Sequence, residues 1–495
     1  MTSLNRQMAK GAAWLVLLRL FDRGLGFLST LVLARILVPA DFGLIAMAIS
    51  ILAALELLGA FSFDLALIQN QRATRAHYDT AWTFAVLFGV FNAACMCALA
   101  HPAALFYGEP RVEGVMYALA ACTLLQGFDN VGIVAFQKDL ELHKEFIFGL
   151  GKKLAGFIVT LALAYVFRSY WALIGGTLAM RLASLGLSYA LHPFRPRLSL
   201  AMARDMLGFS KWLLLNNLLI FLNNRGTDFV IGRISGAREL GLYSISYELA
   251  NLPTTELVWP IQRAVFPGYA RLAGDREQLK ATFCRLIGLL AFLTIPIGTG
   301  LALAAQPLVA VLLGDKWSGT VPLIQVLAVF GIVRALHGPT GSIFVAVGKP
   351  RVVALTQCVQ IAVALSLMLV LIPRLGTIGA AWSILMGACC AMFVNYAGVL
   401  RLLHLPLSRL AAALWRPLLS TSAMGLLMAG IAPTLQHAAD PWPALAQLLI
   451  LVLAGALSYL VTAFGLWRVG GRPDGSESLL LDLLAERLRR SPRPV

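Results

Sequence analysis

Two long apolar stretches of this sequence contain the side chains whose types and spacing could do chemistry. The stretch at 9–34 holds Arg19, Asp22 and Arg23. The stretch at 209–234 holds a group of amide and charged residues: Asn216, Asn217, Asn223, Asn224, Arg225 and Asp228. A charge at the depth of a bilayer costs at least a few kcal/mol, so it usually faces a cavity or a partner group rather than lipid. Both stretches therefore predict a pathway for something polar.

The polar residues of the first stretch share one face of a helix, because positions three, four and seven apart are neighbours there. The stripe comprises Arg19, Asp22, Arg23, Gly26 and Thr30. A local ion pair at i,i+3 spacing, Asp22 with Arg19 or Asp228 with Arg225, is the alternative explanation. Since asparagines accompany the charges in the second stretch, we favour the lining of a water-filled cavity. The arginines indicate an anionic guest such as a pyrophosphate, whose oxygens suit the planar guanidinium fork.

The composition is that of a membrane protein. Of the 495 residues, 59% are hydrophobic and only 13% are charged, and the mean hydropathy is +0.79. These values exclude an ordinary soluble domain. Fourteen stretches have the length and polarity of a membrane span, at 9–34, 42–69, 80–100, 114–136, 154–167, 171–191, 212–232, 240–262, 286–312, 319–346, 353–373, 376–400, 410–432 and 443–467. Lys152 and Lys153 are expected at the cytoplasmic end of the short fifth span.

The net charge of +16 indicates membrane topology. With the N-terminus in the cytoplasm, most lysines and arginines fall on cytoplasmic sides, as the positive-inside rule requires. The C-terminus is then cytoplasmic as well. The basic surface faces anionic lipid headgroups, and we expect no nucleic acid partner.

The chain contains a weak internal repeat with an offset of 198 residues. Arg35 and Gly43 follow the first span as Arg233 and Gly241 follow the seventh, within similar short segments. Parallel repeats of this kind build many transporters. The repeat predicts two pseudo-symmetric six-helix lobes around a central cavity, in an all-α polytopic membrane protein.

The repeat also divides the chain. The predicted lobes are 1–200 and 201–402, followed by two extra helices within 403–467 and a cytoplasmic tail at 468–495. The connection at 192–211 is the predicted hinge between the lobes. Leucines on one helical face and arginines nearby predict a short amphipathic surface helix at 478–490, with a partly disordered tail as the alternative.

The sequence shows no signature of an enzyme. It has no GxxxxGK[ST] loop for ATP, no His/Cys metal set and no Ser-His-Asp arrangement. The seven cysteines lie in or beside apolar spans and are typical of packing residues. We therefore predict no catalytic residue, no metal site and no cofactor.

Several segments resemble the oligosaccharide flippases of bacterial polysaccharide export, the Wzx-type members of the multidrug/oligosaccharidyl-lipid/polysaccharide (MOP) superfamily. These segments are RILVPADFGLIAMAISI in the first hairpin, AFQKDLELHKEF at 135–146, FPGYARLAGDREQLKATF at 266–283, GKPRVVALTQ at 348–357 and IPRLGTIGAAW at 372–382. The resemblance covers most of 10–400. It is greatest for the branch that serves exopolysaccharide and lipopolysaccharide synthesis.

The resemblance implies a two-lobed bundle in the bacterial inner membrane that moves undecaprenyl-pyrophosphate-linked repeat units by alternating access. The residues predicted to bind this cargo are Arg19, Arg23, Arg225, Asn217, Asn224 and Arg334. Coupling to H⁺ or Na⁺, also implied by the resemblance, would use Asp22, Asp64 or Asp228. Membrane lipids and a polymerase or export complex are the other expected partners.

Two alternatives remain open. A cation-coupled multidrug exporter of the same superfamily would share the architecture, but its cargo favours a cavity dominated by carboxylates. A membrane glycosyltransferase or polysaccharide polymerase usually displays its catalytic residues on a sizeable outer loop, whereas every predicted outer loop here is short. A purely structural subunit would leave the charged stripes unexplained. We therefore expect a transporter rather than an enzyme.

Overall fold

The computed structural model describes residues 3–58, 67–70, 72–203, 211–272, 274–435, 441–472 and 477–478. Regular structure throughout these residues is helical, which confirms the predicted all-α class. The α-helices are α1 Ser3–Ile36, α2 Pro39–Leu58, α3 Arg75–Tyr107, α4 Arg111–Gly127, α5 Ala135–Lys138, α6 Leu142–Phe167, α7 Trp171–Leu191, α8 Lys211–Pro253, α9 Trp259–Leu272, α10 Arg276–Leu303, α11 Ala305–Leu312, α12 Thr320–Ala346, α13 Pro350–Leu375, α14 Thr377–Leu403, α15 Leu407–Leu435 and α16 Pro441–Val469. Turns of 3₁₀-helix lie at Val131–Val134 and Asp315–Trp317, and a π-helical turn lies at Thr254–Val258.

Ten helices of the described residues are long and apolar enough to cross a membrane. A bent pair, Arg111–Gly127 with Val131–Lys138, raises the number to eleven. The predicted fourteen spans are therefore not confirmed by length and composition. The helices α1 and α8 are not among the ten although they have 34 and 43 residues, because they carry the charged stripes.

The chain divides into two compact units, Met1–Gly241 and Leu242–Val495. The first unit contains α1–α7 and the larger part of α8, and the second contains the helices that follow. This division reflects packing, whereas the predicted lobes, 1–200 and 201–402, come from the sequence repeat. The lobes stay a prediction.

In the first unit, Asn130 shapes a sharp bend. The segments Arg111–Gly127 and Val131–Lys138 meet there at 67°. The buried Asn130 side chain accepts a hydrogen bond from the backbone amide of Gly132 (2.9 Å) and donates one to the carbonyl of Phe194 (2.8 Å). A bend frees backbone groups from the helical ladder, so a side chain that both donates and accepts stabilises it.

The predicted hinge begins as an extended segment that lies against α3. The backbone amides of Arg197 and Ser199 donate to Oδ1 of Asp79 (2.8 Å) and to Oγ1 of Thr83 (2.9 Å). Both acceptors are buried. The start of the connection is therefore hydrogen-bonded to the first unit. Residues 204–210 lie outside the described residues, so the hinge stays a prediction.

The helix α2 and the part of α8 after Gly236 cross with their backbones in contact. A Cβ atom on Gly43 would overlap the carbonyl oxygen of Ala237, and a Cβ atom on Gly241 would overlap that of Pro39. Glycine permits so close an approach because it has no side chain. The contact is reciprocal at the predicted offset, since Ala237 and Gly241 lie 198 positions after Pro39 and Gly43.

A break in the helices follows the same offset. The helix α1 ends at Ile36 and α2 begins at Pro39. At the equivalent place, Gly236 interrupts α8 with φ 80° and ψ −179°. A φ in this region favours glycine. The sequence predicted a loop between two spans here, and the structure has a break of one residue.

In the second unit, the main core lies among α9, α10, α12 and α14. Its buried members are Val258, Tyr269, Leu279, Phe283, Leu286, Ile287, Leu290, Ala335, Ile343, Phe344, Val399, Leu403, Leu405 and Leu410. A smaller cluster joins α10 to α15 and α16, where the Tyr459 hydroxyl donates to the carbonyl of Phe292 at 2.8 Å. The π-helical turn directly follows Pro253. Proline removes a backbone donor, so the departure from regular α-helix after Pro253 has a local cause.

The C-terminal tail contributes one buried contact. Glu477 is 2% exposed, and its Oε1 lies 2.9 Å from Nη1 of Arg416 on α15. Two charges buried together in this way are far less costly than either one alone. The predicted amphipathic helix lies almost entirely outside the described residues.

We expect Gly43→Ala to destabilise the protein by about 1–3 kcal/mol, the usual cost of overpacking, because the added methyl group meets backbone atoms. Gly186→Ala on α7 is the matched control, since a Cβ atom there meets nothing within 4 Å. Thermal unfolding of the purified variants in detergent measures the difference. Equal unfolding midpoints for the two variants would contradict the close contact of α2 with α8.

Candidate functional site

A pocket of about 400 Å³ in the first unit contains part of the predicted polar stripe. Its walls are α1, the segment after the bend at Asn130, and α6. The polar lining residues are Arg19, Asp22, Gln137, Glu145 and Lys152. Arg19 and Asp22, both predicted from the sequence, therefore line one pocket. Apolar side chains, among them Leu18 and Phe148, form the remaining wall.

Close packing of α1 on α6 brings these polar groups together. A Cβ atom on Gly149 would lie 2.9 Å from Cδ1 of Leu18, so the two helices approach at a small residue. Beside this contact, the rings of Trp14 and Phe146 lie with their centroids 4.9 Å apart. The polar face of α1 is thereby held opposite the lysines of α6.

Asp22 pairs with a residue of another helix. Its Oδ1 lies 3.0 Å from Nζ of Lys153 on α6. The local pair with Arg19, which the sequence left as the alternative, is not the one that the structure shows. The helix that contains the predicted fifth span begins at Leu142, so Lys152 and Lys153 lie well inside α6. Their position at the cytoplasmic end of the span stays a prediction.

Lys152 is at the centre of the charges around the pocket. It interacts electrostatically with the carboxylates of Asp22, Asp129 and Glu145 and with the guanidinium of Arg181. Asp129 also interacts with Arg181. The cations of α6 and α7 therefore share the carboxylates of the bend and of α1.

The charges continue from α7 to α8. Glu56 on α2 interacts with Arg181 and Arg225, and Arg225 donates from Nη1 to Oδ2 of Asp228 at 3.1 Å. Here the local i,i+3 pair is formed, as the alternative explanation predicted. Charges of opposite sign thus alternate in the order Asp228, Arg225, Glu56, Arg181, Asp129, Lys152, Asp22 and Lys153. We call these eight residues the charge series.

Arg19 is a cation outside the charge series. It lines the pocket, is exposed, and has no ion-pair or hydrogen-bond partner in the part of the chain that the structure describes. The buried Nε of Arg181 also lacks a hydrogen-bond partner there. The unused guanidinium of Arg19 beside the pocket is suited to a planar or tetrahedral oxyanion. Arg23 is exposed but is not among the residues that line this pocket.

The other predicted site residues are not brought to this pocket. Arg334 belongs to the second unit, where its Nη1 donates to the hydroxyl of Tyr247 at 2.9 Å. Asp64 lies outside the described residues, and so do the side chains of Asn217 and Asn224. Of the predicted ligands, the structure therefore places Arg19 in the pocket and joins Arg225 to it only through the charge series.

Sequence analysis missed Lys152, Lys153, Glu145 and Gln137 as site residues. Gln137 donates from Nε2 to Oε1 of Glu145 at 2.6 Å, which closes one side of the pocket. A signal for the lysines was present: Gly149 and Gly151 precede them and apolar residues continue on both sides. Glycines of that spacing indicate close helix packing rather than the end of a span.

The described residues contain no group of three or more His, Cys, Asp or Glu side chains placed to hold a metal ion. His192, which packs edge-on against Phe136 with ring centroids 5.7 Å apart, is not a further cation near the pocket. Burial lowers the pKa of His192, so its ring is neutral at neutral pH. The positive charge beside the pocket therefore comes from lysine and arginine.

Comparison with known proteins places the chain in a family. The family model described as polysaccharide biosynthesis protein matches residues 32–322, more than half of the sequence. The lipopolysaccharide biosynthesis protein WzxC of Escherichia coli (strain K12) is 28% identical over 355 residues, which cover 71% of this chain and 72% of WzxC.

Solved structures share the fold. The lipid II flippase MurJ, in an inward closed conformation, matches with a TM-score of 0.70 at 11% identity, over 92% of this chain and 98% of the MurJ chain. A multidrug resistance MATE family transporter of the MOP superfamily, in an inward-facing conformation, matches with a TM-score of 0.55 at 14% identity, over 77% of this chain and 94% of that one. The resemblance seen in the sequence is thereby confirmed: the chain belongs to the polysaccharide biosynthesis protein family and has the fold of the MOP superfamily.

Proposed function

We propose that this protein moves oligosaccharide repeat units, linked to undecaprenyl pyrophosphate, across the bacterial inner membrane. The observation that carries the proposal is the pocket of the first unit, where Arg19 has no partner among the described residues and lies beside Lys152 and the Asp22–Lys153 pair. Membership of the polysaccharide biosynthesis family supports it. The names of two similar proteins point the same way, since WzxC is named for lipopolysaccharide biosynthesis and MurJ for flipping lipid II.

The pyrophosphate of the cargo binds the hydrogen-bond donors that are not used within the charge series. Arg19 offers two parallel N–H groups, and charge-assisted hydrogen bonds are strong where water is excluded. A second anion beside α6 also competes with Asp22 for the Lys153 ammonium. Cargo binding therefore changes the charge balance between α1 and α6. The remaining proposed ligands, for the rest of the cargo, are Arg23, Arg225, Arg334, Asn217 and Asn224.

Fourteen spans result when the charged helices are counted with the apolar ones. To the eleven candidates we add α1 and the two parts of α8, 211–235 and 237–253. An even number places both termini on one side of the membrane, and the distribution of lysine and arginine puts that side in the cytoplasm. Each proposed lobe, 1–200 and 201–402, then has six spans.

Coupling to H⁺ or Na⁺ remains part of the proposal, with Asp22, Asp64 and Asp228 as the candidate acids. Asp22 and Asp228 each pair with a cation, so loss of the negative charge would release Lys153 or Arg225. Ion uptake and cargo binding then act on the same ion pairs. A polymerase or export complex is the proposed protein partner, and it takes no part in the movement of cargo across the membrane.

A multidrug exporter of the same superfamily is the second candidate, because the fold serves both. The groups around the pocket argue against a cationic drug. Each carboxylate of the charge series, and Glu145, already has a cationic or hydrogen-bonding neighbour, whereas Arg19 has no ion-pair or hydrogen-bond partner among the described residues. An unused guanidinium favours an anionic cargo. The function that we propose is that of a transporter, not of a glycosyltransferase or polymerase.

A strain that lacks this gene should accumulate complete repeat units on undecaprenyl pyrophosphate in the cytoplasmic leaflet, with no polymer outside. Lipid extraction combined with leaflet-selective labelling measures this, and the restored gene is the control. Incomplete units would indicate a glycosyltransferase. Complete units in the outer leaflet would indicate a polymerase, and unchanged lipids a drug exporter.

Arg19→Ala should lower export of polymer at least about tenfold, because a hydrogen bond to a charged group contributes about 1.5–3 kcal/mol. Arg19→Lys keeps the charge but loses the bidentate geometry, so its export should lie between that of the wild-type protein and that of Arg19→Ala. Arg374→Ala removes an exposed arginine at the end of α13 and is the control. Equal export from Arg19→Ala and Arg374→Ala, at equal amounts of membrane protein, would remove Arg19 from the site.

Lys153→Asp should reduce the amount of protein in the membrane, because it places two carboxylates together between α1 and α6. The exchange Asp22→Lys with Lys153→Asp restores the attraction, and we expect it to restore the amount of protein but not export. The same exchange at the exposed Glu141–Lys144 pair, 2.7 Å apart, should leave the amount of protein and the export unchanged. Full export from the exchanged Asp22–Lys153 pair would mean that the pair is only structural.

A further inference from the structure

A second pocket, of about 280 Å³, lies within the second unit and takes no part in the site described above. Its walls are Trp259, Gln262, Arg263 and Phe266 of α9, together with Ser342 of α12. Its volume is near the lower end of the range for small-molecule sites, roughly 300–1,000 Å³. A ligand in this pocket would contact aromatic rings, one cation and neutral hydrogen-bonding groups.

The pocket exists because α9 is amphipathic. Ile261, Val265 and Leu272 pack against the core of the second unit, and these spacings place them on one face of the helix. Trp259 and Phe266 point away from that core and remain 48% and 38% exposed. Two large aromatic side chains thus present accessible ring surface at this pocket.

The polar groups of the pocket are also unused. Gln262 lies tightly against α12, where a Cβ atom on residue Gly338 would overlap its amide. Neither Gln262 nor Arg263 has a hydrogen-bond or ion-pair partner within the described ranges. Arg263 lies just beyond the predicted span at 240–262, so the exposed face of α9 suits an aqueous, partly charged ligand.

We propose that this pocket binds one sugar ring of the cargo and that this sugar carries a carboxylate; the proposal rests on the flippase function proposed above. The apolar C–H face of a pyranose stacks on the indole ring of Trp259, with Phe266 as the adjoining wall. Gln262 and Ser342 hydrogen-bond to its hydroxyl groups. Arg263 binds the carboxylate through two parallel N–H groups.

A phosphate, from a lipid headgroup or from the cargo itself, is the other anion that Arg263 could bind. The aromatic rings favour the sugar, because they add nothing to the recognition of a phosphate group and match the size of a pyranose. The side chains of this pocket thus make the second unit responsible for recognising the acidic sugar.

The test is binding of two disaccharides to the purified full-length protein in detergent, measured by saturation-transfer NMR. One contains a uronic acid, and the other is its carboxyl-reduced counterpart. We expect the acidic disaccharide to bind at least about tenfold more tightly. Arg263→Gln should abolish this preference, and Trp259→Ala should weaken binding of both. The controls are Arg271→Gln, exposed near the end of α9, and Trp382→Ala, 44% exposed on α14.

Equal binding of both disaccharides to the wild-type protein would overturn the inference. A second result would also overturn it: inorganic pyrophosphate displaces the acidic disaccharide from the wild-type protein, and Arg263→Gln abolishes the binding of pyrophosphate. The pocket would then be a phosphate site. Arg19→Ala should keep disaccharide binding. If the deletion strain loses export but an Arg263→Gln strain makes normal acidic polymer, this inference alone is contradicted. Normal export from the deletion strain would contradict the proposed function.

Discussion

The structure of the first unit depends on how charges are accommodated among apolar helices. An unpaired charge buried at low dielectric costs several kcal/mol, and each member of the charge series has a neighbour of opposite sign. Because the members come from α1, α2, α6, α7 and α8 as well as the bend at Asn130, the charges also determine which helices lie side by side. The proposed anionic cargo would add its charge to a set that is already balanced. It can therefore alter the packing by drawing one cation, such as Lys153, away from its carboxylate.

Features that follow from local pattern could be predicted from the sequence. Helical spacing alone put Arg19 and Asp22 on one face of α1, and the structure places both in one pocket. The offset between the two copies of the repeat likewise indicated where Gly241 would be equivalent to Gly43. These features are predictable because each depends on residues a few positions apart, or on a comparison of two similar segments.

Features that depend on partners distant in sequence could not be predicted. Nothing near Asp22 indicates that its ion-pair partner would be Lys153, so the helical neighbour Arg19 was the obvious alternative. The lysine pair at 152–153 likewise did not indicate that α6 begins earlier, at Leu142, and continues through both residues. The pocket beside Trp259 was equally hidden, since its remaining wall comes from Ser342 on another helix.

The crossing of α2 with α8 has the form of an interface between two identical subunits. Gly43 meets Ala237 as Gly241 meets Pro39, so each copy of the repeat contributes the same surface to the contact, as in an isologous dimer. The two glycines therefore act as two halves of one symmetric contact, and a side chain added at either position would separate the same pair of backbones.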